Sequence, residues 1–195
     1  YITAAVFDKD DTAFERILNT PKRGIGPGTV KKIAQMRRGS MSLQDAARQA
    51  VAERVLTACQ ELIVPGAIRS LADRPVHPEL PIVHNGALVN NPERPYVGEY
   101  GGDEDTRRKP AYHNGTAWAW PFPSYCEAWA RHHGPGANHT ALAWLGSAVE
   151  KLHHGCLGHL PEIQDGNAPH RDRGCDAQAW SVSEVLRVWL QLGGP

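Results

Sequence analysis

Residues 155 to 181, GCLGHLPEIQDGNAPHRDRGCDAQAWS, separate two segments of helical spacing, and their Gly, Pro, Asn and Asp content marks irregular backbone rather than helix or strand interior. Loops carried on a rigid scaffold are where chemistry is usually placed. One glutamate, Glu162, sits in this loop beside Pro161, with Asp165 three residues on. A carboxylate held rigidly and partly dehydrated suits a general base acting on water. A solvated loop glutamate is the alternative reading. Gln178 and Trp180, at the end of the same loop, have side chains of the types that bind sugars.

The pattern on both sides of the loop is helical. Helices are expected at about Thr116 to His132, Asn138 to His153 and Ser181 to Leu192, with Asn138 and Ser181 as N-caps whose oxygens accept from free first-turn amides. Nearer the start, Asp11 or Thr12 caps a short helix through Ile17, and a second runs from Val30 to Arg38 with Val30 and Ile33 facing in. Ser42 followed by Asp45 resembles a capping box that opens a long amphipathic helix to about Ile63, ended by Pro65-Gly66. From Ala67 to Tyr112 no helical period is sustained. That segment, with HNG at His84 and DEDTRRKP at Asp103, is too long for an ordinary connection. Little strand signal is visible, so the expected class is all-α, an array of helical hairpins with elaborate loops.

Composition separates the chain into two parts. Its 21 Lys plus Arg balance 21 Asp plus Glu, which removes any overall bias toward nucleic acid, membrane or acidic substrate. Residues 1 to 60, however, carry 10 basic and 6 acidic side chains, net +4, and the remainder is net −4. All ten His, from His77 on, and all six Trp, from Trp118 on, lie in the second part. This predicts a division near residue 50, with a helical segment over 1–50 and a larger domain over 51–195. The four cysteines form no CxxC pair, no apolar run reaches membrane-spanning length and no signal peptide opens the chain, so a reduced, cytoplasmic protein without a membrane partner is expected. The chain begins at Tyr1 rather than Met, which reads as a fragment.

A further constellation runs Tyr112-His113-Asn114-Gly115-Thr116-Ala117-Trp118-Ala119-Trp120-Pro121. His113 and Asn114 can hydrogen-bond sugar hydroxyls, while the flat apolar faces of Trp118 and Trp120 stack on pyranose rings. Core indoles at a helix start are the alternative. His153, His154, Cys156 and His159, with Cys175 beyond, match no closed zinc pattern, and neither a metal nor a cofactor is expected.

From about Glu53 onward the chain resembles the C-terminal domain of glycogen debranching enzymes, the amylo-α-1,6-glucosidase family. The resemblance is carried by PGAIRSLADRP at Pro65, PIVHNGALVN at Pro81, DEDTRRKPAYHNGTAWAWPFP at Asp103 and GCLGHLPEIQDGNAPHRDRGCDAQAWSVSEVLRVW at Gly155. It implies an (α/α)6 toroid, here partial, that hydrolyses α-1,6-glucosidic branch points of glycogen or a branched α-glucan with inversion. By the same resemblance Glu162 is the general base, and His113, Asn114, Trp118 and Trp120, joined by Asp165, Gln178 and Trp180, form the substrate-binding set. The family's general acid lies in a Trp-Met-Asp segment upstream of every block matched, and this sequence contains no Trp-Met-Asp. The expectation is therefore an incomplete site on an incomplete ring, prone to self-association through exposed apolar faces.

Residues 1 to about 45, which open YITAAVFDKDDTAFERILNTPKRGIGPGTVKKI, resemble a segment of Rep/UvrD-type DNA helicases. Lys22, Arg23, Gly24 and Gly26, with Lys31 and Lys32, would contact duplex phosphate there through backbone amides and positive charge. The chain has no GxxxxGK[ST] run, so no P-loop motor is expected, and a weak DNA contact through residues 20–32 is the alternative function. Two unlike parts point to a fused or rearranged reading frame with a junction near residues 46 to 54.

Overall fold

The computed structural model describes residues 11–12, 27–37 and 39–194. They fall into two compact units, Tyr1–Thr57 and Ala58–Pro195. The helix expected from Asp11 to Ile17 lies mostly outside the described residues, as do Lys22, Arg23, Gly24 and Gly26.

In the first unit, α1 spans Pro27–Gln35, earlier than the Val30 to Arg38 expected, because Pro27 fits a first helical turn that needs no N–H. None of its residues is fully buried, and Val30 and Ile33 are half-buried. The next helix, α2, spans Leu43–Gln60, short of the end expected near Ile63, and opens after Ser42 as cap. Ser42 Oγ accepts from the Asp45 N–H at 3.1 Å and donates to Asp45 Oδ2 at 2.7 Å. The Leu43 N–H donates to Asp11 Oδ1, whose carboxylate also pairs with Arg37 at 2.9 Å. The helix is less amphipathic than expected: Leu43, Ala46 and Leu56 are buried, yet Val51 and Val55 are exposed.

The second unit is mainly helical, in line with the all-α expectation, and adds small antiparallel sheets that the expectation lacked. Strands β1 (Ile63–Val64) and β2 (Ala67–Arg69) form a hairpin over Pro65-Gly66. Gly66 has φ +76°, the value a type II turn requires after Pro, and a side chain there would press on the backbone of Ala148 at 3.2 Å. A separate hairpin pairs β3 (Val83–His84) with β4 (Ala87–Leu88) through Asn85 and Gly86, both at positive φ, so the HNG run is a two-residue turn. With β5 (Ala117–Trp118), β6 (Ile163–Gln164) and β7 (Asp172–Arg173), the larger sheet has the order β1-β2-β5-β6-β7. Its register pairs Ile68 with Trp118, Trp118 with Ile163, and Ile163 with Arg173. Strands of two or three residues have no alternation to read, and this is why the sequence hides them.

Between the hairpins and β5, a π-helical turn at Glu104–Arg108 runs into the short helix α3, Lys109–His113. Beyond β5 come α4 (Pro121–His133), α5 (Asn138–Val149) and α6 (Ala179–Gln191). These three pack on one another around Phe122, Cys126, Leu145, Leu160 and Val188, with Ala130, Ala141 and Ala148 small enough to let the helices approach closely. Full burial of Leu145 alone contributes about 2 kcal/mol.

Helix starts shift for local reasons. α4 begins at Pro121 rather than near Thr116, because 117–118 pair as β5. Neither expected cap operates. Asn138 lies inside its helix and donates through Nδ2 to the Leu192 carbonyl at 3.3 Å, while a 3-10 turn at Pro135–Ala137 leads in. Ser181 is buried two residues inside α6, its Oγ donating to the Pro161 carbonyl at 3.4 Å, and Gln178 holds the cap position. At the other end of α5 the chain tightens into a 3-10 turn, Glu150–His153.

Candidate active site

The site is built from Asp103 upward. Its Oδ1 accepts from the Thr106 N–H at 2.9 Å and from Thr106 Oγ1 at 2.7 Å, fixing the start of the π-helical turn. Opposite charges four residues apart then meet on its surface: Glu104 with Arg108 at 3.6 Å and Asp105 with Lys109 at 2.5 Å. The turn and α3 thereby present Glu104, Arg108, Lys109, Tyr112 and His113 to one cleft of about 390 Å³, closed by Tyr100 and by Glu162 from the 155–181 loop.

Glu162 is half-buried and held from four directions. Its N–H donates to the Cys175 carbonyl at 2.8 Å, and its own carbonyl accepts from the Ala119 N–H at 3.4 Å. On the side chain, Tyr112 Oη donates to Oε1 at 2.5 Å and the Cys175 N–H donates to Oε2 at 3.2 Å. Burial, with the Glu162 bond second, pushes the Tyr112 phenol up to about 12, so it donates throughout the neutral range. A carboxylate has about four lone-pair positions. Two are taken here, which leaves acceptor capacity toward the cleft.

The predicted residues divide. His113 lines the cleft beside Glu162, and Trp118 lies behind it, its indole parallel to the His113 ring at 6.0 Å and its Nε1 donating to the Tyr112 carbonyl at 3.3 Å. Asn114 turns its amide to the Pro110 carbonyl at 2.9 Å, which closes α3. Asp165 is buried with its carboxylate already engaged. It accepts the Tyr100 N–H at 2.8 Å and three bonds from Arg173, at 3.0, 3.1 and 3.2 Å, and the first of these contacts braces Tyr100 beside the cleft. Trp120 and Trp180 stack on each other at 4.1 Å and 16°, with Trp180 53% exposed. Gln178 bonds the Leu160 carbonyl through its backbone N–H.

Of the residues proposed from sequence, Glu162 and His113 line the cleft, and Tyr100, Glu104, Arg108, Lys109 and Tyr112 were missed. The signal for four of these was present in EDTRRKPAYH, where acid–base pairs at i,i+4 mark a helical surface. Glu104 is a rim charge, 63% exposed and shared between Arg108 and Lys109. A larger cavity of about 540 Å³ lies elsewhere, lined by Val64, Phe122, Tyr125 and Trp144 among others, and has no carboxylate in its wall. Among the described residues no three His, Cys, Asp or Glu side chains gather to hold a metal ion, and no helix is long and apolar enough to cross a membrane. Lys31 and Lys32 are exposed on α1.

A search of curated proteins finds no match. A family profile described as amylo-alpha-1,6-glucosidase matches residues 88–187, just over half of the chain, and takes in α3, the Tyr112 to Trp120 block and the whole Glu162 loop. The match starts beyond the amino-terminal part and gives the helicase resemblance no support. With a glutamate held by two donors in a polar cleft inside the matched segment, the chain belongs to the amylo-alpha-1,6-glucosidase family.

Proposed function

We propose that this chain provides the base side of a glycogen-debranching glucosidase site, with Glu162 as the general base and the α-1,6 branch point of a glucan as the substrate. The observation that carries the reading is the carboxylate of Glu162, half-buried, clamped by Tyr112 Oη and the Cys175 N–H, and open to a polar cleft. In an inverting hydrolysis the base takes a proton from water as that water attacks the anomeric carbon. A carboxylic acid across the ring, about 6.5–9.5 Å away, protonates the departing oxygen. Glu162 supplies the first role. Glu104, ion-paired on the rim, is not assigned the second, which the resemblance gives to an upstream aspartate.

His113 reaches the same cleft and is placed to bind a sugar hydroxyl, and the exposed face of Trp180, backed by Trp120, offers a flat platform for a neighbouring glucose unit. The packing of α4, α5 and α6 supports their reading as part of a helical toroid. A storage glucan as substrate and four unpaired cysteines support a cytoplasmic location.

Calorimetry with a branched limit dextrin tests the reading. Binding is expected, weakened roughly tenfold in His113→Ala, the loss of one sugar hydrogen bond worth about 1.4 kcal/mol. Duplex DNA serves as the control ligand. In Glu162→Gln, binding persists and any glucose release disappears. Absence of dextrin binding, or glucose release that survives Glu162→Gln, would overturn the proposal.

A further inference from the structure

We propose that Tyr112 is the positioning residue of this site: its phenol fixes the carboxylate of Glu162 in one orientation and keeps it an acceptor for the attacking water. The inference rests on the assignment of Glu162 as the base, but it concerns a different residue. Tyr112 comes from α3 and Glu162 from a loop 50 residues later, so the Oη to Oε1 bond joins two elements that no local preference brings together.

The tyrosine is itself immobilised. Its ring meets Tyr100 at 5.8 Å, His113 edge-on at 4.9 Å and Trp118 edge-on at 4.7 Å. Its carbonyl accepts from Thr116 Oγ1 at 2.6 Å and from Trp118 Nε1 at 3.3 Å. A side chain held by three rings and anchored through its main chain has little rotamer freedom left, so its hydroxyl is a fixed point from which to hold another group. The Cys175 N–H fixes the second oxygen. Rotation of the carboxylate would break one bond or the other. On this reading Trp118 acts through Tyr112: it buttresses the ring that holds the base. His113 does the same from the cleft side in addition to lining it.

Charge sharpens the role. The titratable groups around Glu162 are Lys109, Tyr112 and His113 of α3, the other cleft-lining residues Tyr100, Glu104 and Arg108, and Cys175, whose N–H bonds Oε2. Tyr112 donates to the carboxylate through a hydroxyl that stays protonated across the neutral range, because burial pushes its phenol up to about 12.

The test is an NMR measurement at neutral pH on the intact chain with carboxyl-labelled glutamate, comparing wild type with Tyr112→Phe. The Glu162 signal, assigned by its loss in Glu162→Gln, is expected to shift and broaden in Tyr112→Phe, because the carboxylate loses the donor to Oε1 and with it its single orientation. The reciprocal measurement covers the case in which Tyr112→Phe does not fold. In Glu162→Gln the Tyr112 phenol should titrate below about 12 but stay above the ordinary 10, because burial, the larger cause of its shift, remains. An unchanged Glu162 signal in a folded Tyr112→Phe, or an unmoved phenol titration in Glu162→Gln, would overturn the assignment. A purely structural tyrosine moves neither. Neither measurement depends on dextrin, so a failure of the glucosidase reading and a failure of the positioning role show themselves in separate experiments.

Discussion

Gly174→Ala, set beside Gly158→Ala, separates the support of Glu162 from the general demands of the loop. Both glycines lie in the left-handed region, Gly174 at φ +71° and Gly158 at φ +76°. An alanine in that conformation costs about 1 kcal/mol at either position. Their surroundings differ. A Cβ at 158 meets nothing within 4 Å, whereas a Cβ at 174 lies 2.6 Å from Glu162 Oε2, 3.0 Å from Ile163 Cγ1 and 3.3 Å from Glu162 Cβ. The carboxylate is the part able to move, and moving it breaks the bond from the Cys175 N–H and disturbs that from Tyr112. A bond to a charged acceptor contributes about 1.5–3 kcal/mol when fully buried. Glu162 is half-buried and water takes over part of the contact, so about 1–2 kcal/mol is the appropriate increment. The expected total is about 1 kcal/mol for Gly158→Ala and about 2–3 kcal/mol for Gly174→Ala. Urea unfolding followed by tryptophan fluorescence resolves this. With a slope of about 2 kcal/mol/M, the Gly174→Ala midpoint falls about 0.5–1 M below that of Gly158→Ala. Equal midpoints would show that the carboxylate is not held where the structure places it, and the clamp on Glu162 would be refuted.

Two further outcomes concern the scaffold. Burial pushes the Glu127 carboxyl up, but donors from Arg187 and Gln191 outweigh that and hold it below its usual 4.5, and the Arg187 guanidinium does the same to Glu184. Folded carboxyls with lowered pKa contribute stability that is complete above the unfolded value and is lost as pH falls through the lower folded one. The urea midpoint should therefore drop from pH 6 to pH 3, and Glu127→Gln should remove part of that dependence while costing about 1–2 kcal/mol at pH 7. A flat profile in wild type would contradict the network. Cysteine reactivity is the other check: burial pushes the Cys126 thiol up to about 12, while Cys156 and Cys175 are exposed. Intact mass after brief alkylation at pH 8 should show Cys156 and Cys175 modified and Cys126 protected, and early labelling of Cys126 would mean that the packing of α4 is wrong.

The helices of the second unit are legible in the sequence because their apolar spacing is sustained over a dozen residues, and the differences fall at their ends. Ser181 and Asn138 look like caps by residue type, but each sits inside a helix and bonds a carbonyl distant in sequence, Pro161 or Leu192. The strands are not legible at all. Each is two or three residues long, and what makes Ala117 a strand residue is the presence of Arg69 on one side and Gln164 on the other, 48 and 47 positions away. Periodicity carries no information about partners at that distance.

The site is legible in a different way, through the types of its residues but not through their roles. Glu162 and His113 stand together in one cleft, as their residue types suggest. Asp165 has the same chemistry as Glu162 and sits three residues away, yet its side chain is closed off by Arg173 and the Tyr100 N–H while that of Glu162 faces the cleft. The difference follows from which face of a two-residue strand each one flanks, a property of the β5–β6–β7 ladder and therefore of pairing partners far apart in the chain. Tyr112 shows the same dependence from the other side. Along the chain it is one of several aromatic rings between Tyr112 and Trp120, and only the ladder that carries Trp118 against Ile163 brings Glu162 under its hydroxyl. The small sheet that the sequence conceals is therefore what separates the glutamate that faces the cleft from the aspartate that braces the loop.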